Sequence, residues 1–187
     1  MTTLLKSLTI LSVLSFVVCS SIGICPNGFT RVGEKCYLMP SIKGNWSEAD
    51  SLCRLLNSYL LVFESQTEAD LVQAHLAKIG SIHSTNTTEK WWDNSLWTSI
   101  KARENSRDFV VQHTGEPIPF PMWGPQQPDH DNQQCVATCS LTGKMVYHDY
   151  NCHIPLAFAC KTSTKQEAAM DSEYATETPE VNTESIF

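Results

Sequence analysis

The sequence predicts an α+β fold stapled by disulfides, on three observations. Two capped, amphipathic helical patterns sit together in the first half among short strand-like runs, instead of alternating with strands along the whole chain. Seven cysteines follow a leader-like first segment. The stretch 116–128 holds five prolines, which forbid regular ladder pairing through most of it and make long fixed loops inside the domain.

Residues 1–23 carry Lys6, an apolar run from Leu8 to Val18 and then the small residues Ser20, Ser21 and Gly23, the make-up of a cleaved secretory signal. A signal anchor is the rival reading, but the run of about eleven residues is short of the ~20 that span a bilayer. Residues 24–162 are then one domain, large enough to bury its own core. The rest, 163–187, is rich in Thr, Glu, Ser and Ala without a periodic apolar face, and is expected to be a disordered acidic tail. Most of the net charge of −7 belongs to that end of the chain, so the domain is only mildly acidic. Nucleic acid and anionic membrane surfaces are excluded as partners, because both need basic clusters.

Export places Cys25, Cys36, Cys53, Cys135, Cys139, Cys152 and Cys160 in an oxidising compartment, where disulfides persist. Seven is odd, so one thiol is left over, and arithmetic alone does not choose among the pairings. Thr30 to Val32 and Lys35 to Leu38, around a Gly33-Glu34 turn, read as a hairpin stapled by its own cysteines. Ser47 with Asp50 resembles a capping box, and Ala49, Leu52, Cys53 and Leu56 follow at helical spacing with Cys53 on the buried face. Leu60 to Phe63 is a short apolar strand. Ser65 with Glu68 caps a second helix whose Ala69, Val72, Leu76 and Ile79 share a face before Gly80 stops it.

Further on, Leu96 to Ile100 reads as a buried strand, Cys135 to Ala137 and Met145 to Tyr147 as a pair around Thr142-Gly143, and Ala157 to Cys160 as the closing strand. Asn45-Trp46-Ser47 and Asn86-Thr87-Thr88 are N-glycosylation acceptors and predict exposed Asn45 and Asn86. Of Trp91 and Trp92, beside a polar loop, one is expected to be exposed. There is no Gly-x-Ser-x-Gly elbow, no His-Glu-x-x-His helix and no Gly-rich phosphate loop, so an enzyme is not expected.

From Cys25 to Cys160 the chain resembles the C-type lectin-like domain family. The resemblance rests on Cys25-Pro26 with Cys36-Tyr37, the two helices, Trp97-Thr98-Ser99-Ile100, Gly115 ahead of Trp123-Gly124-Pro125, the triplet Gln127-Pro128-Asp129, and the closing cysteines. It implies two helices packed on antiparallel sheets with a long irregular loop region, and the pairs Cys25 with Cys36, Cys53 with Cys160 and Cys135 with Cys152. The second pair would contribute around 4 kcal/mol if chain entropy governs it. Cys139 is left as either a bridge to a second copy or a buried thiol. Trp97 and Trp123 fall on core positions of the resemblance.

In that family a Gln-Pro-Asp triplet, a later Glu and a Trp-Asn-Asp triplet hold calcium, and the Gln-Pro-Asp form goes with galactose-type ligands. Here Gln127 and Asp129 match the first triplet, Gln133 stands at the Glu position, and Tyr147-His148-Asp149 stands for Trp-Asn-Asp. The resemblance makes Pro128 a cis residue. It also implies that two sugar hydroxyls complete the calcium shell while Asp129 and Asp149 accept their protons. Calcium takes six to eight oxygens, carboxylates above all, so Gln133 and His148 weaken the set.

Three readings follow. One is a calcium-dependent glycan site with Asp131 as the replacement carboxylate. A second is a degenerate site on a module that binds a protein partner, or binds sugar without metal. The third is a borderline metal such as zinc on His148, Asp129 and Asp149 with His130 or His153. The loop after the triplet has no aromatic ring to lie under a sugar, which leaves Tyr150 as a candidate stacking surface. By analogy with the family, the expected product is a secreted, glycosylated, extracellular recognition protein of innate immunity that meets glycans on cell or microbial surfaces.

Overall fold

The computed structural model describes residues 24–80, 95–104, 106–141 and 143–162. The expected signal over 1–23, the acceptor Asn86, the pair Trp91 and Trp92, and the expected tail over 163–187 lie outside them. Two antiparallel sheets share the two helices, as expected. The first sheet orders its strands β1 (Thr30–Val32), β2 (Lys35–Leu38), β9 (Cys160–Thr162) and β3 (Tyr59–Leu60). The second runs β5 (Phe109–Val111), β4 (Leu96–Ala102), β6 (Cys135–Leu141) and β7 (Lys144–Tyr150), with β8 (Ala157–Phe158) parallel to the start of β4.

Helix α1 (Trp46–Leu55) starts earlier than the sequence pattern predicts. Its capping box is Asn45 with Glu48, not Ser47 with Asp50: the Asn45 side-chain oxygen accepts the Glu48 N–H at 3.0 Å, and Glu48 Oε2 accepts the Asn45 N–H at 2.8 Å. The physical reason is Trp46, which is buried and donates its indole N–H to Thr98 O at 2.8 Å, so it belongs to the first turn. The acceptor asparagine Asn45 is therefore half-buried and occupied as a cap. Leu56 caps the C-terminus and is 40% exposed, outside the buried set of Ala49 and Cys53. Helix α2 (Gln66–Lys78) has the expected cap, Ser65 accepting from Glu68 N, and buries Ala69, Val72 and Leu76, whereas Ile79 at its C-cap faces outward.

The segment 60–63 joins the two sheets more than it extends one. Only Tyr59 and Leu60 pair with β9, while Leu61 N donates to Ala159 O and Leu61 O accepts from Ser99 N in β4. Leu61, Phe63, Val72, Ile100, Val136 and Tyr147 meet in the larger core, and Trp97, Ala49, Cys53 and Phe158 in a second one beside it. Trp97 donates to Gly44 O at 2.9 Å, which ties the second sheet to the approach of α1.

The disulfides are Cys25–Cys36, Cys53–Cys160 and Cys135–Cys152. Lys161 is wholly buried in β9. It stays there because Val62 O, Glu64 and Glu68 surround its ammonium group. Cys139 is buried in β6, and burial pushes its thiol pKa up to about 12. A bridge to a second copy would require β6 to open, so the buried-thiol reading fits the packing.

Candidate functional site

A two-stranded ribbon and the loop ahead of it carry the site. The strands β6 and β7 pair in continuous register, Val136 opposite Asp149 and Ala137 opposite His148, and Cys135–Cys152 ties the strand ends together. The loop ahead of β6 lies over the end of this ribbon. Gln127 N donates to Gly124 O at 3.1 Å, and the Gln127-Pro128 peptide is cis, as the resemblance implied.

Asp149 is the anchor of the arrangement. Its carboxylate is 0% exposed and accepts from Asp129 N (3.2 Å), from His130 N (3.1 Å) and from the Arg107 guanidinium (2.7 Å). Its own N–H donates to Gln127 Oε1 at 3.3 Å. Gln127, Asp129 and Asp149 are thus drawn together by backbone and side-chain hydrogen bonds. Asp129 also pairs with its neighbour His130 through a short contact to Nδ1. Burial acts to raise the Asp129 pKa, but hydrogen bonds from His130 and Gln127 outweigh it and hold the carboxyl below its ordinary value.

The other expected ligands are placed differently. Gln133 reaches the cluster through its backbone, its carbonyl accepting from Arg107 at 2.7 Å. Asp131 is exposed and outside the cluster, and its carbonyl accepts from the Gln134 amide. His148 is buried with its ring against Gly124, so near that a Cβ on Gly124 would come within 2.6 Å of Nε2. Burial lowers the His148 pKa against the pull of Asp129 and Asp149, which keeps the imidazole neutral at pH 7. His153 is exposed on the turn after β7, its N–H bonded to Asn151.

Tyr150 is buried, edge-on to Trp97 and within hydrogen-bond distance of Ser95. It packs the core and offers no stacking surface, because the strand turns its ring inward. Trp123, expected in the core, is half-buried and edge-on to Phe109 and Tyr147.

Ligand atoms of Asp129, His130 and Asp149 lie within 4.8 Å of one another, so this trio could chelate an ion. Calcium asks for six to eight oxygens in a flexible shell. Both oxygens of Asp149 are already taken by protein donors, Nδ1 of His130 is held by Asp129, and Gln133 presents no carboxylate. The set as arranged does not fit calcium.

Arg107 is the residue that sequence reasoning missed. No motif marks it, since it lies twenty positions before Gln127 on the turn ahead of β5. Beside it a groove of about 1060 Å³ opens along the end of β4, with Lys101, Arg103, Gln112, Asp131 and Gln134 in its walls.

Residues 42–162 match the family model of the Lectin C-type domain. The chain is 30% identical over 133 residues to C-type lectin 37Db of Drosophila melanogaster, covering 70% of this chain and 79% of that one. Among solved structures, human lithostathine superposes with a TM-score of 0.62 at 23% identity, over 75% of this chain and all of that one. A calcium-independent type II antifreeze protein superposes with a TM-score of 0.58 at 20% identity, over 76% and 96%.

Proposed function

The chain belongs to the C-type lectin domain family of non-catalytic recognition modules, and we propose that this member binds glycans outside the cell without a resident calcium ion. One observation carries the reading: the buried Asp149 carboxylate already accepts from Arg107 and His130 N on one oxygen and from Asp129 N on the other. A carboxylate so engaged keeps about one of its four lone pairs, so it would have to give up the Arg107 bond to bind an ion through both oxygens. Among the described residues no helix is long and apolar enough to cross a membrane.

Recognition then rests on direct hydrogen bonds. Asp129, His130, Asp131 and Asn132 are exposed on one loop whose base is fixed by Asp149, so their donors and acceptors meet a ligand at low ordering cost. Asp129 accepts from hydroxyls, and the Asn132 amide both donates and accepts. Galactose-type selectivity is not part of the proposal, because the ring that such ligands stack on is absent from the loop and Tyr150 is buried. That same lack of an exposed ring favours, as a second reading, a protein partner on the same loop.

A glycan array run with calcium, with zinc and with chelator tests this. Spots that bind equally in all three conditions are expected. Signal lost in chelator and restored by calcium would sink the ion-free reading. An array with no signal, alongside chelator-indifferent capture of a deglycosylated glycoprotein, would favour the protein partner.

A further inference from the structure

We propose that the Arg107 guanidinium performs the organising role of a bound cation, gathering the oxygens of the recognition loop so that it stands formed without metal. The proposal deepens the ion-free reading above and rests on it. Nη1 donates to His130 O and to Gln133 O, and Nη2 donates to Asp149, so oxygens from two chain segments converge on one positive group. Two of the three are backbone carbonyls at either end of the 130–133 turn, which Gln133 N closes onto His130 O. A cation is what such a set calls for: carbonyl dipoles and a carboxylate turned toward one point repel each other until a charge stands between them.

Arg107 is built into its place. Its guanidinium lies over the Phe109 ring, 4.9 Å from the centroid, and its side chain is only 29% exposed. The turn that carries it is tied by Ser106 N to Arg103 O and by Asp108 N to Ser106 Oγ. The charge count agrees. With Gln133 where the resemblance places a Glu, the cluster keeps the carboxylates Asp129 and Asp149, and a monovalent guanidinium suits a site that has lost one negative charge. A planar fork also reaches several acceptors at once, which a point charge does less well.

Removing the guanidinium leaves the Asp149 carboxylate, His130 O and Gln133 O, with the Asp129 carboxylate beside them. These are hard oxygens of the kind calcium takes. The full chain should be compared as wild type, Arg107→Ala and Arg107→Lys by thermal melting in chelator and in millimolar calcium, with calorimetric titration of calcium alone. Wild type is expected to melt at the same temperature in both and to give a flat titration. Arg107→Ala should melt lower in chelator by on the order of 10 °C, recover a large part of that in calcium, and show a calcium-binding isotherm. Arg107→Lys keeps the charge and should lie between them with little response to calcium.

If Arg107→Ala yields folded protein only when refolded with calcium, the inference holds. If it fails with and without calcium, or its deficit is unchanged by calcium, Arg107 is an ordinary ion-pair partner and the inference is overturned. Wild type stabilised by calcium would overturn both the inference and the ion-free reading, whereas a calcium-deaf Arg107→Ala overturns the inference alone.

Discussion

Gly124 and His148 are in direct contact, the imidazole Nε2 lying where a Cβ on residue 124 would come within 2.6 Å. Gly124 also starts the loop that carries Gln127 and Asp129, since its N–H donates to Tyr147 O and its carbonyl accepts from Gln127 N. Gly124→Ala should therefore destabilise the fold by about 1–3 kcal/mol through overpacking. The smaller His148→Asn side chain should return part of that loss in the double variant. Chemical denaturation of the four proteins in a double-mutant cycle checks it, and strict additivity would show that the two residues do not share the contact.

Lys161 is a buried cation with its ammonium group between Glu64 (2.7 Å) and Glu68 (2.6 Å), and Glu68 in turn accepts the Tyr37 hydroxyl. Burial, followed by that bond and the charge of Glu68, drives the Tyr37 pKa far upward, so the phenol stays a donor. Lys161→Met keeps the volume and removes the charge, leaving Glu68 nearly buried without its cation. A loss of about 3 kcal/mol is expected by equilibrium unfolding. Adding Glu68→Gln should recover part of it; a double variant worse than the single one would argue against an electrostatic origin.

His113 stacks on Tyr59 at 3.9 Å between centroids, and its Nδ1 meets Ser99 Oγ at 2.7 Å. Burial, helped by Arg54, lowers its pKa below 6.5, against a smaller pull from Asp50. A depressed folded-state value means that the unfolded chain binds the proton first. The stability this histidine contributes is present above pH 6.5 and declines as pH falls from there toward the folded-state value. Melting temperature should drop between pH 7.5 and about 5.5, and His113→Phe, which keeps the stacking, should flatten part of that drop. His148 shifts in the same direction and accounts for a further part. Glu64 acts only lower: burial raises its pKa, but Lys161 more than offsets this, so its contribution is lost below pH 4.5.

Cys139 is fully buried and its thiol is weakly acidic. An alkylating reagent should leave the native protein unmodified and label one thiol after unfolding without reductant. The same sample should run as a monomer in non-reducing electrophoresis. Rapid labelling of the folded protein, or a dimer band lost on reduction, would contradict the burial.

Local pattern carried the helices well where capping and spacing agree, as at Ser65 and Glu68. It misplaced the start of α1 by choosing Ser47 over Asn45, since both make acceptable caps and only the docking of Trp46 on Thr98 separates them. At the site, the sequence motif located Gln127, Asp129 and Asp149 because they are chain neighbours of Pro128 and Cys152. It could not show that His148 packs on Gly124, that Tyr150 turns into the core, or that Asp131 stands apart.

What the sequence determined by itself is the two helices and most of the strands, which follow from periodicity and capping over short spans, and the family and the loop residues, which follow from the resemblance carried by its ordered motifs. The tertiary structure alone decided what the buried carboxylate of Asp149 is paired with. Its partner Arg107 sits on a separate turn more than forty residues earlier. An ion pair of that kind depends on where two segments meet after folding, and no local propensity encodes it.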